Sequence, residues 1–398
     1  MRPALFGLPR IYWVLWAGQL INRLGSFALP FLPLYLVDRL HYTDAGAGDV
    51  FALFGLGNLL GAPLGGWAGD RFGRRRALLT ALPLNVAALV GLVVAPAGAP
   101  LAAVAFALGA SNGYGPVLTA AVSDVVAPAD RARAFGYLYW AVNLGVAAAC
   151  VLGGALARVG FHWLFLGDAL TTAALVAIVY LRVPETRPAL DEGRARPPLS
   201  AAFQALGDPR LAGFALAQLA TLVVFLQSFV LMPLQERARG ISTGAIGLVT
   251  ALNGVVIIVA QPAVARFARA QPAWRMLALG AALTGAAAVG ISNARTVGAF
   301  AACMVVVSLG EVAFSAAAPT YVASIAPADR RASYQGAYSL CWAAASLLGP
   351  LLGPRAAARF GDATAWRLGA AVCAVAAVLH ATVTRRAEAS PGLNLTPS

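Results

Sequence analysis

Long apolar runs separated by short polar ones make up most of this chain. Strand-like alternation is absent, and runs near 20 hydrophobic residues recur from Ile11 onward. About 20 apolar residues are what a helix needs to cross a bilayer core of about 30 Å, and a helix satisfies its own backbone there. The pattern predicts about twelve membrane-spanning helices, at roughly 11–37, 47–69, 77–96, 100–123, 134–157, 162–182, 210–234, 243–265, 274–292, 297–323, 333–354 and 365–384. The longest polar interruption, Val183 to Pro209, carries Pro184, Pro188, Pro197, Pro198 and Pro209 and falls near the midpoint. It reads as a cytoplasmic linker, 183–209, between six-helix bundles at 1–182 and 210–386, with a polar, disordered cytoplasmic tail at 387–398.

Composition agrees with that reading. The chain is 60% hydrophobic and 11% charged, whereas a soluble domain carries about 25% charged residues. Every basic residue is arginine, and the net charge is +13. The arginines fall in separate short loops, so the charge does not read as a nucleic-acid surface. With the N-terminus inside, twenty arginines lie in inner segments and eight in outer ones. That asymmetry predicts both termini on the cytoplasmic side of a cell membrane, a bacterial inner membrane. The run from Ile11 to Val37 mimics a signal peptide but is too long for one and reads as a first spanning helix. Cys150, Cys303, Cys341 and Cys373 each lie in an apolar run, with no CxxC pair, and read as buried hydrophobes. No metal or cofactor set stands out.

An internal repeat divides the chain in the same place. Pro128-Ala129-Asp130-Arg131 recurs 199 residues on as Pro327-Ala328-Asp329-Arg330, and Gly136 and Gly153 recur 200 residues on as Gly336 and Gly353. Arg71-Phe72-Gly73-Arg74 is echoed by Arg266-Phe267-Ala268-Arg269, with Ala265 where the first half has Asp70. Parallel six-helix repeats are a transporter architecture.

The most charged junction is Gly66-Trp67-Ala68-Gly69-Asp70-Arg71-Phe72-Gly73-Arg74-Arg75-Arg76. Asp70 ends an apolar helix, where the helix dipole is already negative, so it needs a partner from elsewhere. Gly66 to Arg75 resembles the loop 2–3 signature G-x-x-x-D-R-x-G-R-R of the major facilitator superfamily. The resemblance implies an all-α integral membrane protein of two pseudo-symmetric six-helix bundles that alternate access around a central site. It also implies a conformational gate of Gly66, Asp70, Arg71, Gly73, Arg74 and Asp124. In it Asp70 caps the eleventh helix and Arg74 pairs with Asp124. Gly145-x-x-x-Ala149-Cys150-x-x-Gly153-Gly154 resembles the family's antiporter signature with its central Gly-Pro replaced. No arginine occurs between Leu101 and Val122, where drug/proton antiporters carry one. Asn22-Arg23-Leu24-Gly25 and Gly310-Glu311 resemble a multidrug-exporter branch.

Arg23 and Glu311 are the most costly charges, at about 2.5–3.5 kcal/mol each near a bilayer centre. They are the candidate proton-coupling pair, Glu311 as carrier and Arg23 as its modulator. Asp168 reads as structural, near the outer surface, and Asp38, Asp44 and Asp49 read as solvated. Small residues at Gly57, Gly61, Gly65 and Gly69 form a helix-packing stripe. The resemblance sets it against the eleventh helix, where Gly349 and Gly353 share the spacing. The cavity-lining helices contribute Gln19, Asn22, Asn112, Tyr114 and Tyr137 from the first half. Asn143 belongs to the same half, and Gln227, Asn253, Tyr338 and Trp342 come from the second. An aromatic, amide-rich pocket suits small amphipathic molecules. The expected activity is proton-coupled efflux by a monomer, with proton-coupled uptake as the alternative and a non-transporting sensor behind it. No HExxH or Walker motif points to an enzyme or to ATP as driver.

Overall fold

A computed structural model describes residues 6–127, 130–187, 201–327 and 330–386. Pro128, Ala129, Ala328 and Asp329 of the repeat, residues 188–200 of the expected linker and the expected tail at 387–398 lie outside the described residues. Every regular element among the described residues is helical. In chain order they are α1 (Arg10–Leu24), α2 (Ala28–Asp38), α3 (Asp44–Phe72), α4 (Arg74–Val94), α5 (Ala99–Ser111), α6 (Tyr114–Val125), α7 (Arg131–Leu156) and α8 (Phe161–Arg182). Then come α9 (Ala201–Ala205), α10 (Pro209–Leu226), α11 (Leu231–Ala238), α12 (Thr243–Arg269), α13 (Ala273–Asn293), α14 (Val297–Ile325), α15 (Arg331–Phe360) and α16 (Asp362–Leu379), closed by a π-helical turn at His380–Thr384.

These helices supply twelve stretches long and apolar enough to cross a membrane. Two compact units divide them. One holds α1–α8 together with Arg237–Val255, and the other holds the remaining helices. The four cysteines are free and buried.

Three spans that read as continuous are broken. The first is α1 plus α2, the fourth is α5 plus α6, and the seventh is α10, a 3-10 turn at Gln227–Phe229, and α11. Hydropathy hides such breaks, because the flanking residues stay apolar. A break in hydrocarbon frees backbone groups that protein must satisfy. At the first break Gly25 N–H donates to Asn22 O and Ser26 N–H to Arg23 O, both at 3.2 Å. At the fourth, Asn112 N–H donates to Gly109 O (3.1 Å) and Gly113 N–H to Ala110 O (3.2 Å).

The glycine stripe has a different partner from the one the resemblance implies. A Cβ at Gly57, Gly61 or Gly65 would run into the backbone of Phe106, Ala110 or Gly113, so the stripe is taken up by the fourth span. The contact is reciprocal, since a Cβ at Gly109 would meet the backbone of Phe54 and Asn58. Gly69 instead faces Val117 and the Arg74 guanidinium. Gly349 and Gly353 pack on the seventh span, against Leu226 and the Gln227 side chain. Gly153 sits under the rings of Phe31 and Phe27, and Gly154 meets the backbone of Gly244. Periodicity revealed a close-packing face; it did not say what covers it.

Candidate functional site

The charged junction is shorter than its sequence implies. α3 runs through Asp70 and Arg71 to Phe72, α4 begins at Arg74, and Gly73 alone joins them with φ +102°. That left-handed conformation favours glycine. A Cβ there would also meet the Glu185 carboxylate. Arg74 reaches two acids: Nη1 lies 2.5 Å from Asp70 Oδ1 and Nε 3.0 Å from Asp124 Oδ2. Both acids sit at helix C-termini, of α3 and α6, where a carboxylate is poorly placed. One guanidinium therefore bridges two carboxylates at two negative helix ends. Gly66 has open space around it.

Sequence reasoning missed the other half of this junction, because it assigned Val183 onward to a linker. Glu185 Oε1 accepts from Arg74 N–H (2.8 Å) and Oε2 from Arg75 N–H (3.3 Å), which caps α4. Arg187 Nη1 donates to the carbonyls of Asp70 (3.0 Å) and Arg71 (2.9 Å), which caps α3. An acid thus meets the positive end of one helix and a cation the negative end of the other. Arg75 lies over the Tyr180 ring, 5.6 Å from its centroid. Burial pushes the Glu185 pKa up, but the N–H groups of Arg187, Arg74, Arg75 and Thr186 outweigh it and hold the carboxyl below its ordinary 4.5. A depressed carboxyl stabilises the fold above its unfolded pKa and loses that contribution as pH falls through the folded value. Because Glu185 is exposed, the contact is worth about 0.3–1 kcal/mol. Glu185→Ala is expected to lower the thermal midpoint slightly at pH 7, with the gap to wild type closing as pH falls from the ordinary carboxyl value through the lower folded one. A gap that stays constant across that range would remove the carboxylate from the account.

Within the first unit the structure gathers Asn22, Arg23, Asn112 and Tyr114 around one polar cavity of about 210 Å³. Tyr114 OH donates to Asn22 Oδ1 (3.2 Å) and Asn22 Nδ2 to Thr172 Oγ1 (2.9 Å). Asn85 Nδ2 donates to Ser111 Oγ (2.8 Å) and Asn112 Oδ1 (3.3 Å). Asp168 is on the same wall. It is buried, 8% exposed, and its Oδ2 accepts from Ala28 N–H at 3.2 Å. Asp38, expected to be solvated, pairs with Arg237 in the same unit. Gln19 is buried with its Oε1 lacking a hydrogen bond. Tyr137 is 40% exposed, and its ring lies 6.0 Å from that of Trp13. Asn143 bonds back to Tyr139 O in its own helix (2.9 Å), and Asn253 is buried on α12.

In the second unit Trp342 Nε1 donates to Tyr338 OH (3.0 Å), and the Trp342 ring lies 6.0 Å from Phe225 and 6.2 Å from Phe314. Glu311, on α14, is within electrostatic reach of Tyr338. Gln227 Nε2 donates to Gly349 O (2.5 Å), so it ties the break in the seventh span to α15. Two acids went unnoticed in the sequence. Asp208 caps α10 through Arg210 N–H (2.9 Å) and accepts from Tyr334 OH (2.8 Å). Glu236 is fully buried, and neither of its carboxylate oxygens has a hydrogen-bond partner. Its neighbours Arg237 and Arg239 give the segment the look of a loop, yet α11 continues to Ala238.

The sequence profile described as Major Facilitator Superfamily matches residues 15–291 and 219–396. The chain is 25% identical over 360 residues to "Uncharacterized MFS-type transporter YttB" of Bacillus subtilis (strain 168), covering 87% of this chain and 88% of that protein. It is 29% identical over 262 residues to "Tetracycline resistance protein, class C" of Escherichia coli, covering 62% of this chain and 65% of that one. Over 159 residues it is 32% identical to "3-(3-hydroxy-phenyl)propionate transporter" of Escherichia coli (strain K12), covering 39% of each. With twelve apolar helices, a signature junction closed by Asp70, Arg74 and Asp124, and a profile match along nearly its whole length, the chain belongs to the major facilitator superfamily.

Proposed function

We propose that this transporter exports small amphipathic compounds in exchange for protons, by alternating access between its two halves. The observation that carries the reading is the aromatic cluster of Phe225, Phe314, Tyr338 and Trp342 beside Glu311. Aromatic faces bind flat apolar bodies broadly. A nearby carboxylate gives a positively charged group or a proton a place to bind. Similarity to a tetracycline resistance protein supports export of such compounds. Similarity to a 3-(3-hydroxy-phenyl)propionate transporter supports the second reading, uptake of a small aromatic acid with protons. Glu311 is the proposed carrier, and the Asp70–Arg74–Asp124 junction is the proposed gate, at the cytoplasmic face if the arginine asymmetry sets the orientation. Gating governs motion and leaves the choice of cargo to the aromatic cluster.

Flux in liposomes with an imposed pH gradient tests this. Amphipathic dyes and antibiotics are expected to move opposite to protons, and Glu311→Gln to abolish the gradient dependence. Flux parallel to protons would establish the uptake reading. No gradient-dependent flux across the panel would reject both. Proton dependence retained in Glu311→Gln would reject its role as carrier. An unaltered conformational balance in Asp70→Asn, read by spectroscopic distances between labels, would reject the gate.

A further inference from the structure

The polar cavity of the first unit does not belong to the aromatic cluster of the second, and its contents call for an account. At about 210 Å³ it is below the roughly 300–1,000 Å³ of pockets that take drug-sized ligands, yet ample for several waters. Its walls carry one acid, Asp168, and one cation, Arg23. Arg23 lies within electrostatic reach of Asp168. Its Nε is buried without a hydrogen-bond partner. The guanidinium-bearing residue and the carboxylate therefore share the wall of one cavity with room for several waters.

Asp168 is also placed to act on structure. Ala28 is the first residue of α2, so the carboxylate that accepts its N–H caps the second half of the broken first span. Gly25 in the same break packs so closely on α8 that a Cβ would collide with the Thr171 side chain, and Arg23 is pressed against Gly145 of α7. A charged carboxylate at a helix N-terminus gains from the helix dipole and from a charge-assisted hydrogen bond. A protonated one loses both.

We propose that this cavity is a proton-binding site in which Asp168 is the acceptor and the break between α1 and α2 is the element that responds. A hydrated proton in the cavity water gives up its proton and reverts to water, and an O–H bond forms at an Asp168 carboxylate oxygen. The neutral acid then releases the α2 N-terminus and leaves Arg23 without its counter-charge. The titratable and charged groups facing Asp168 are Arg23 from α1 and Tyr114 from α6, while α2, α3, α4 and α5 present none to the cavity and α7 does not line it. A metal cation is the poorer occupant, because Arg23 repels it and only one carboxylate is present to offset that repulsion. Any effect on transport rests on the proton-coupled reading above, whereas the protonation itself does not.

Infrared titration of the purified full chain tests the proposal. Wild type is expected to show a protonated-carboxyl stretching band that comes and goes with pH. Asp168→Asn should remove one component of that band, Asp168→Glu should shift that component, and Glu236→Gln and Glu311→Gln should leave it in place while removing only what those acids contribute. Arg23→Gln should keep the band and move its midpoint by about one to three pH units, the size of a neighbouring opposite charge. Thermal melting confirms that each variant is folded. A band unchanged in Asp168→Asn, loss of the Asp168 component in Glu236→Gln or Glu311→Gln, or an unmoved midpoint of that component in Arg23→Gln overturns the proposal. So does its loss when sodium chloride replaces choline chloride, which would mark a metal-cation site. A band that behaves as expected in a protein with no proton-driven flux would sink the export reading and leave the proton site standing.

Discussion

Arg74→Gln is expected to destabilise the solubilised protein by about 2–3 kcal/mol, somewhat less than the roughly 3–5 kcal/mol of a fully buried pair broken on one side. The discount reflects partial hydration: the side chains of Arg74 and Asp124 are each 13% exposed and that of Asp70 is 46% exposed. Loss of the guanidinium leaves Asp124 poorly solvated at the negative end of α6 with no cation beside it. Asp70 can turn to water, so Asp70→Asn should cost under about 1 kcal/mol. The measurement is the unfolding midpoint in detergent for Arg74→Gln, Asp124→Asn and the pair. The double variant should recover about 1–2 kcal/mol relative to the sum of the singles, as contacting residues do. Strict additivity would show that Arg74 and Asp124 merely lie near one another. The cost is borne by a junction closed from both directions, since Arg187 complements the α3 end that Arg74 also reaches and Glu185 caps the start of α4.

The twelve spans were legible because a run of apolar residues long enough to cross a bilayer has few alternatives in water or in lipid. The Arg74–Asp124 contact was legible through the family signature, which carries information that no local pattern contains. The breaks in the first, fourth and seventh spans were not. Their signals, Gly25-Ser26, Asn112-Gly113 and Gln227-Ser228, are polar or small pairs inside apolar runs, which a spanning helix also tolerates. Glu185 escaped because its partner lies 111 residues away, and proline-rich surroundings made its segment read as a spacer. Asp168 sits near the start of its span, and sequence depth could not say which backbone group it meets. Only the break in the first span brings an N–H to it, and that break was itself hidden. The candidate cavity residues separated for a similar reason. Asn22, Asn112 and Tyr114 turn into one cavity, while Tyr338 and Trp342 join an aromatic cluster in the other unit.

The glycine stripe gives the largest expected effect, and it sets two opposed terms against each other at neighbouring positions. Gly→Ala inside a helix gains up to about 1 kcal/mol in helix propensity. At Gly61 the new Cβ would fall on the backbone of Ala110, which cannot move aside as a side chain can. The α3 and α5 backbones must then separate, and the contacts at Gly57, Gly65, Gly109 and Gly113 loosen with them. Overpacking of this kind costs about 1–3 kcal/mol and occasionally more, and a rigid backbone obstacle puts Gly61→Ala at the upper end, so sterics outweigh propensity. Gly66 lies five residues further along the same helix with nothing within 4 Å of where its Cβ would be. There propensity acts alone, and Gly66→Ala should be neutral or stabilising by up to about 1 kcal/mol. Thermal midpoints of the two variants, read by loss of the monodisperse size-exclusion peak, should move in opposite directions or differ by roughly 3 kcal/mol in effect. Equal midpoints would mean that the α3–α5 contact yields easily, and the stripe would then be a sliding surface instead of a fixed seam.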